Sequence, residues 1–310
     1  MSEQSGHIYD GSLLCGGCAS SFPVEEGVPN LLIVRDNKQE KVMAKGFEYE
    51  WNLFFKKDKP YFKEMFLEWV TPLKPEDFRD KVVLDAGCGM GRNTMVCGSF
   101  SPKAVIGMDI HDGVKVLFEN SKSISNMHVV KADIFHLPFK TIFDAAYSIG
   151  VIHHTPDPTK AFNSLASVLK PSGMLSVFVY GREKNTLVAD HIGLLRVKLF
   201  SRLPNTVLLA LSKVLGLVLF AYLRYIFCPL IRVFPAVRRN ISYSDYFLWL
   251  NKTDIEYCVH VVFDHLVTPI ASYHSTAELV NWYGSNGFSD VKIWNRYNIT
   301  HVGFGRKSRE

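Results

Sequence analysis

The chain has 310 residues, of which 47% are hydrophobic and 21% charged, and it carries a formal net charge of +5. This is the composition of a folded protein with a sizeable core, and it excludes disordered, collagen-like and coiled-coil proteins. Six cysteines are too few for a disulfide framework, and the length fits one decorated domain or two ordinary ones.

The N-terminal segment, residues 1–36, is predicted to be a zinc-ribbon-like unit that lacks its metal. Cys15 and Cys18 form a Cys-x-x-Cys turn ahead of short strands, as in one knuckle of a zinc ribbon. Structural zinc needs four ligands, and beyond this knuckle only His7 is a nearby candidate, so we expect no metal site. Residues 1–10 are polar and lack the apolar segment of a signal peptide, which predicts a cytoplasmic protein.

Residues 37–78 are predicted to form a helical layer. Four apolar side chains in this region recur at intervals of three and four residues, which is the spacing of one helix face: Phe62, Met65, Phe66 and Trp69. We expect this face to pack on the domain that follows.

A strand, a glycine-rich loop and a helix are predicted, in that order, from residue 82 onwards. The apolar run 82–84 leads to Asp85, and three glycines follow at alternate positions, Gly87, Gly89 and Gly91. Glycines here let the backbone turn sharply and approach a ligand closely. The third glycine comes one residue too early for the dinucleotide-binding fingerprint, and no Gly-Lys-Ser/Thr sequence closes the loop. The pattern therefore departs from the NAD-binding loop and excludes a Walker loop.

Acidic side chains follow the next two predicted strands. Strand 104–108 ends on Asp109, where a carboxylate can accept hydrogen bonds from both hydroxyls of a ribose. Strand 127–130 leads to Asp133 and Ile134, where a carboxylate beside an apolar side chain suits the amine and the ring face of an adenine. Because the carboxyl ends of parallel strands share one crevice, we expect these residues to lie beside the glycine loop.

Two further strands are predicted at 143–148 and 174–180. The first ends at Ser148, and His153 and His154 follow it closely in the chain. The alternation of strands with helical segments predicts an α/β fold with a doubly wound, mostly parallel sheet.

Together these motifs resemble the class I S-adenosylmethionine-dependent methyltransferases, in particular their small-molecule branch, often called type 11. The match runs over 82–180 and resumes at 276–283, 286–291 and 300–306, which look like the family's last helix and closing hairpin. The resemblance implies a seven-stranded Rossmann-like sheet, S-adenosyl-L-methionine as cofactor, and methyl transfer as the activity. It assigns eight positions to the cofactor, from its methionine part to its ribose and adenine: Asp85, Gly87, Gly89, Gly91, Ser148, Asp109, Asp133 and Ile134.

The same resemblance divides the rest of the chain. It implies a cofactor-binding core at 79–181, a helical insertion at 182–257 and the end of the core at 258–310. A sulfonium makes its methyl group electrophilic, so the protein mainly aligns a nucleophile and excludes water. For a hydroxyl acceptor, His153 or His154 is the candidate base, since a neutral imidazole can take its proton. The alternative is that the two histidines only shape their loop.

The insertion is predicted to be a basic, apolar lid. Between residues 191 and 244 there is no acidic residue, and there are eight cations: Arg196, Lys198, Arg202, Lys213, Arg224, Arg232, Arg238 and Arg239. Within 203–223 only Lys213 is charged. Three interpretations of this segment remain open: a lid, a helix lying on a membrane surface, and a membrane span. A central lysine makes insertion of a span less favourable by about 2.5–3.5 kcal/mol.

The acceptor site is predicted where the insertion returns to the core. Its candidate residues are Asp264, His265 and Tyr273, for which a packed hinge of the lid is the alternative, together with Tyr180 at the end of the strand before the insertion. Cations interleaved with Leu, Val and Ile favour an apolar or lipid-like small molecule as acceptor and an anionic membrane surface as partner, whereas RNA binding would favour exposed aromatic residues among them. RNA methylation and a non-catalytic cofactor-binding scaffold are the alternatives, and the oligomeric state is left open.

Overall fold

The computed structural model describes residues 2–4, 7–33, 59–183, 185, 200, 203–241, 243–267 and 271–309. Its strands, in chain order, are β1 (Ser2–Gln4), β2 (His7–Leu14), β3 (Ser21–Glu25), β4 (Val28–Pro29), β5 (Val82–Ala86), β6 (Ala104–Asp109), β7 (Met127–Lys131), β8 (Phe143–Ile149), β9 (Leu169–Tyr180), β10 (Phe288–Arg296) and β11 (Thr300–Lys307). Strands β5 to β11 form the main sheet, and β1 to β4 form a separate small one.

The α-helices are α1 (Phe62–Trp69), α2 (Pro75–Phe78), α3 (Arg92–Gly98), α4 (Gly113–Ser121), α5 (Pro158–Ser167), α6 (Asn205–Tyr222), α7 (Cys228–Val233), α8 (Ser244–Leu250), α9 (Ile255–Val267) and α10 (Thr276–Ser285). A π-helical turn, Leu223–Phe227, joins α6 to α7, and short 3-10 helices lie at Ile152–His154 and Pro235–Asn240. Helices α1 and α2 are the described part of the predicted layer at 37–78.

The main sheet has the strand order β10-β11-β9-β8-β5-β6-β7. Strands β5 to β9 run parallel to one another, whereas β11 is antiparallel to both β9 and β10. The order reverses between β5 and β8, which places a crevice at the carboxyl ends of these strands. The predicted α/β fold with a seven-stranded, mostly parallel sheet is confirmed.

Strand β9 begins earlier than the sequence predicts. It starts at Leu169 rather than at Met174, and its pairing with β8 moves from Phe143–Leu169 directly to Ala145–Met174. Within the extra residues Ser172 has a φ of +62°. Pro171 and Gly173 therefore mark a bulge inside the strand and not a turn before it.

The small sheet docks on the open edge of the main one. Asn30 forms a parallel bridge with Lys131 of β7, and the Leu31 N–H donates to the Lys131 carbonyl over 2.8 Å. Next to this bridge, Gly27 lies so close to α4 that a Cβ would meet the Phe118 ring at 2.1 Å. Cys15 and Cys18 are free thiols, and within the described residues no group of three or more His, Cys, Asp or Glu could hold a metal ion.

The insertion is built around one long apolar helix, 205–233, made of α6, the π turn and α7. One face of it packs on the protein through small and apolar residues: Leu208, Ser212, Gly216, Leu223, Phe227 and Ile231. Helix α9 is its main neighbour, and a Cβ on Gly216 would come within 2.6 Å of the Val259 Cα. The predicted boundary at 257/258 falls inside α9, because the chain continues without a break from the insertion into the core as one helix.

Candidate functional site

A cavity of about 550 Å³ lies at the carboxyl ends of the parallel strands. One set of lining residues comes from the loops after β5, β6 and β7, within 87–93, 109–111 and 132–135, and we call it the loop wall. A second set is largely aromatic and is called the aromatic wall: Tyr180, Tyr246, Phe247, Trp249, Tyr257 and Tyr273. Polar groups also reach the cavity beside this wall, namely His153, His154, Asp264 and His265.

The glycine loop of the loop wall is held by one carboxylate. The backbone N–H of Gly89 donates to Asp109 Oδ2 over 2.8 Å, and that of His111 donates to Asp109 Oδ1 over 3.0 Å. Gly87 has a φ of +85°, and a Cβ there would lie 2.2 Å from Val151 Cγ2. A larger residue cannot occupy Gly87 without displacing Val151, so this glycine is required by the packing of its loop against the loop after β8.

Three of the predicted cofactor residues lie one layer behind the cavity. Asp85, Gly91 and Ser148 do not line it. The Thr94 hydroxyl donates to Asp85 Oδ2 over 2.6 Å, and the Ser148 hydroxyl donates to the Ala86 carbonyl over 2.9 Å. Burial raises the pKa of Asp85 to about 7. The side chains of Asp85 and Ser148 thus hold the turn that follows β5. The sequence motif alone does not distinguish this structural role from direct contact with the cofactor.

Gly91 has a packing role of the same kind. Its φ is +88°, and a Cβ there would lie 2.2 Å from Leu117 Cδ1 of α4. The glycine thus allows the start of α3 to pack against α4.

The predicted adenine residues do line the cavity. Ile134 is buried at the wall, and Asp133 accepts the Phe135 N–H at Oδ1 over 2.8 Å. The second oxygen of Asp133 lies 2.7 Å from His136 Nδ1. Ile110 adds a further apolar side chain. The loop wall therefore presents two apolar side chains, Ile110 and Ile134, beside the Asp133 carboxylate, which the Phe135 N–H holds in place.

The two histidines after β8 form an aromatic stack with Tyr180. His153 and His154 are buried, and their ring centroids are 4.1 Å apart. The His153 ring also lies 4.0 Å from the Tyr180 ring, and Tyr180 stacks on Tyr273 at 5.6 Å. The structure thus brings both predicted catalytic residues and two predicted acceptor residues together.

Asp264 of α9 joins this stack through a hydrogen bond. The Tyr180 hydroxyl donates to Asp264 Oδ2 over 2.9 Å, and His265 Nδ1 lies 3.9 Å from the same oxygen. Burial raises the pKa of Asp264, but the neighbouring imidazoles, with His265 the strongest, and the Tyr180 hydroxyl outweigh burial and lower it overall. An ionised carboxylate therefore faces the cavity within reach of a phenol and an imidazole.

Most of the aromatic wall was not predicted from the sequence. Tyr246, Phe247 and Trp249 come from α8, in the segment predicted to be lid. Two arginines also line the cavity and stack on tryptophans, Arg92 on Trp69 at 5.3 Å and Arg296 on Trp249 at 5.2 Å. The sequence did contain one indication of these wall residues: four of the seven residues at 243–249 are Tyr, Phe or Trp.

Residues 84–177 match the family model described as a methyltransferase domain. These residues form a methyltransferase domain of the S-adenosylmethionine-dependent type. This confirms the family, enzyme class and cofactor predicted from the sequence motifs. The matched range contains β6 to β8, most of β5 and β9, and every predicted cofactor residue, so the loop wall lies in the part of the chain that matches the family.

The curated relatives share only part of their length with this methyltransferase. A tRNA U34 carboxymethyltransferase from Campylobacter curvus is 32% identical over 40% of this chain and 42% of its own. Cycloartenol-C-24-methyltransferase 1 from Oryza sativa subsp. japonica is 28% identical over 43% of this chain and 39% of its own. Magnesium protoporphyrin IX methyltransferase from Synechocystis PCC 6803 aligns over 87% of this chain and 98% of its own, at 16% identity and a TM-score of 0.47.

Proposed function

We propose that this methyltransferase transfers a methyl group from S-adenosylmethionine to a small apolar or lipid-like acceptor bound at the aromatic wall. The observation that supports the proposal is that one cavity joins the loop wall to a set of six aromatic side chains. Such side chains bury large apolar areas, and a fully buried apolar group of this size contributes about 1.5–3 kcal/mol. An apolar acceptor therefore gains binding energy here that a highly charged one does not.

The loop wall has the features that the cofactor requires. Gly87 lines the cavity without a side chain, Asp109 ends its strand beside Gly89, and Ile134 offers an apolar face. Bound S-adenosylmethionine supplies a methyl group made electrophilic by its sulfonium. The protein contributes by holding the acceptor in line and excluding water, which requires side chains of fixed position more than reactive ones.

For an acceptor with a hydroxyl nucleophile, the stack around Tyr180 provides the base. His153 and His154 border the cavity, and a neutral imidazole can take the proton as the oxygen attacks. Asp264, held by the Tyr180 hydroxyl, stabilises the positive charge that would form on the nearest imidazole. His154 and His265 are both close enough to affect the pKa of this carboxylate.

RNA is the second candidate acceptor, because the relative from Campylobacter curvus is named for a tRNA modification. Aromatic side chains can also stack on a base that is turned out of its strand. The exposed cations of the insertion stand mostly among Val, Leu and Ile, with Tyr225 and Phe234 as exposed aromatic residues beside them, and this mainly aliphatic setting favours a lipid over a nucleic-acid backbone.

Transfer of labelled methyl groups distinguishes the two acceptors. The purified protein is incubated with methyl-labelled S-adenosylmethionine and with either a total lipid extract or total RNA. We expect label in the organic phase, and we expect Trp249→Ala to raise the KM for that acceptor roughly tenfold, because a buried aromatic contact is lost. Tyr9→Ala, on the small sheet, is the control and should change neither KM nor turnover. Label found only in RNA would overturn the proposal, as would a failure to bind S-adenosylmethionine.

A further inference from the structure

The outward face of the helix at 205–233 is apolar, although it faces solvent. Val214, Val218 and Tyr225 have 62%, 59% and 74% of their surface exposed. Leu217, Ile226 and Val233 extend the same surface, which we call the outer face. By length and composition the helix could cross a membrane. Its most apolar 18-residue window has a mean hydropathy of 2.1, and 22% of that window is buried in the protein.

The burial pattern distinguishes between a span and a surface helix. Leu208, Gly216 and Phe227 pack on the protein, and the tight contact between Gly216 and Val259 fixes the helix against α9. A helix that crossed a bilayer would have to give up these contacts. A helix that stays docked keeps them and presents only the outer face, which is the arrangement of an interfacial helix.

The cations of the helix indicate which surface the outer face meets. Lys213, Arg224 and Arg232 are exposed, and each is followed in the chain by an exposed apolar residue. Among the described residues these three form no ion pair, whereas Arg238 is paired with Asp245 at 2.6 Å. Since no acid occurs between 191 and 244, nothing within this stretch of the sequence neutralises the basic charge. Contact with another protein surface would not require this bias, but contact with anionic headgroups would.

We propose that the outer face docks this methyltransferase on an anionic lipid bilayer, with its apolar side chains in the interface and its three cations at the headgroups. The face lies one side chain away from the cavity. Phe227, beneath the outer face, contacts Phe247 at 5.4 Å between ring centroids, and Phe247 lines the cavity. A docked enzyme would thus hold its aromatic wall next to the membrane. Delivery of an acceptor along this route rests on the proposed function, whereas docking itself does not.

Flotation with vesicles tests the docking directly. We expect the protein to float with vesicles of phosphatidylglycerol and phosphatidylcholine, to float far less with phosphatidylcholine alone, and to be released by salt. Each cation near such a surface is worth roughly fivefold in binding, so the triple variant Lys213→Glu, Arg224→Glu, Arg232→Glu should bind at least about a hundredfold more weakly. The matched control reverses three exposed lysines elsewhere, Lys103, Lys140 and Lys292, and should bind better than the triple variant.

A second variant tests the apolar part of the proposal. Val214→Ser, Val218→Ser and Tyr225→Ser together should abolish flotation, whereas Ile142→Ser with Val280→Ser, at exposed apolar positions elsewhere, should not. S-adenosylmethionine binding, measured by calorimetry, should be unchanged in every variant, which separates loss of docking from loss of the proposed function. Equal flotation with neutral vesicles, or unchanged flotation of either outer-face variant, would overturn the proposal. So would a stable dimer that the apolar variant dissociates, because a second copy would then cover the face.

Discussion

The two walls of the cavity are built from different parts of the chain. The loop wall is formed by backbone that follows three neighbouring strands, and one carboxylate, Asp109, ties it together through two N–H groups. The aromatic wall is formed by side chains from β9, α8, α9 and the segment at 273, which lie far apart in the sequence, and the hydrogen bond from Tyr180 to Asp264 joins β9 to α9. The loop wall therefore depends on the main sheet, whereas the aromatic wall depends on how the insertion packs on the core.

This difference implies that the walls can be disturbed independently. A change within the loop wall should alter the affinity for S-adenosylmethionine, whereas a change in the aromatic wall or its support should alter only the transfer step. Each variant of the two walls and of the histidines between them is therefore measured twice, by calorimetry with the cofactor and by turnover with the acceptor.

The largest expected effect is on turnover, at the histidines that lie between the walls. His153→Ala and His154→Ala should each lower turnover by about 10²–10⁴ for an oxygen acceptor, because a proton acceptor is lost, and should leave cofactor affinity nearly unchanged. His128→Ala, at an exposed position on β7, is the control and should have no effect. Normal turnover in both single variants would show that the pair only shapes the loop.

The next effect concerns the carboxylate of the loop wall. Asp109→Ala removes the acceptor of the Gly89 and His111 N–H groups and should weaken S-adenosylmethionine binding by about 1.5–3 kcal/mol, the scale of hydrogen bonds to a charged group. Asp112→Ala, three residues later and outside the cavity lining, is the matched control. If the two variants bind the cofactor equally well, Asp109 is not part of the cofactor site.

Support of the aromatic wall is tested at the contact between α6 and α9. Gly216→Leu forces a side chain toward the Val259 backbone, and overpacking of this kind costs about 1–3 kcal/mol. The insertion should dock less well, so turnover should fall while cofactor affinity is retained. Gly284→Leu, on α10, is the control, because a Cβ there has nothing within 4 Å. Loss of cofactor binding in Gly216→Leu would mean that the two walls are not independent.

The last effect is on stability and not on binding or turnover, and it is a dependence on pH that arises at Asp85. Burial raises the pKa of this carboxyl from 3.8 to about 7, so between these values the folded protein holds a proton that the unfolded chain has released. The contribution of Asp85 to the free energy of unfolding therefore falls as the pH rises from about 4 to about 7 and is level above that.

Denaturant unfolding of wild type and of Asp85→Asn across this pH range isolates the contribution. The difference in the free energy of unfolding between wild type and Asp85→Asn should shrink or change sign as the pH rises. The reason is that asparagine can still accept a hydrogen bond from Thr94 but does not titrate. Asp290→Asn, at an exposed position, should run parallel to wild type. Parallel curves for Asp85→Asn as well would contradict a raised pKa.

The sheet and the loop wall could be predicted from the sequence because their signals are local. Gly87, Gly89 and Asp109 lie within 23 residues, and each strand is a short apolar run that ends at its functional residue. The motif could not show that Asp85 turns inward to Thr94, since a carboxylate at that position looks the same whether it meets a ligand or a hydroxyl.

The aromatic wall could be predicted only in part. Tyr180 ends the strand before the insertion and Asp264 lies where the chain returns to the core, but their hydrogen bond joins residues 84 positions apart. Trp249 and Arg296 have no motif at all, and only the docking of α8 against the core brings them into contact. Such positions depend on how distant segments pack, so no residue spacing along the sequence indicates them.

The bridge between Asn30 and Lys131 has a consequence for association. Strand β7 is the last strand on its side of the sheet, and an uncovered last strand offers unpaired N–H and C=O groups to any other extended chain. The small N-terminal sheet takes up part of that edge and packs Gly27 against α4. Removal of residues 1–33 would therefore expose a template for strand addition, and the shortened protein should aggregate edge to edge even if its cavity is intact.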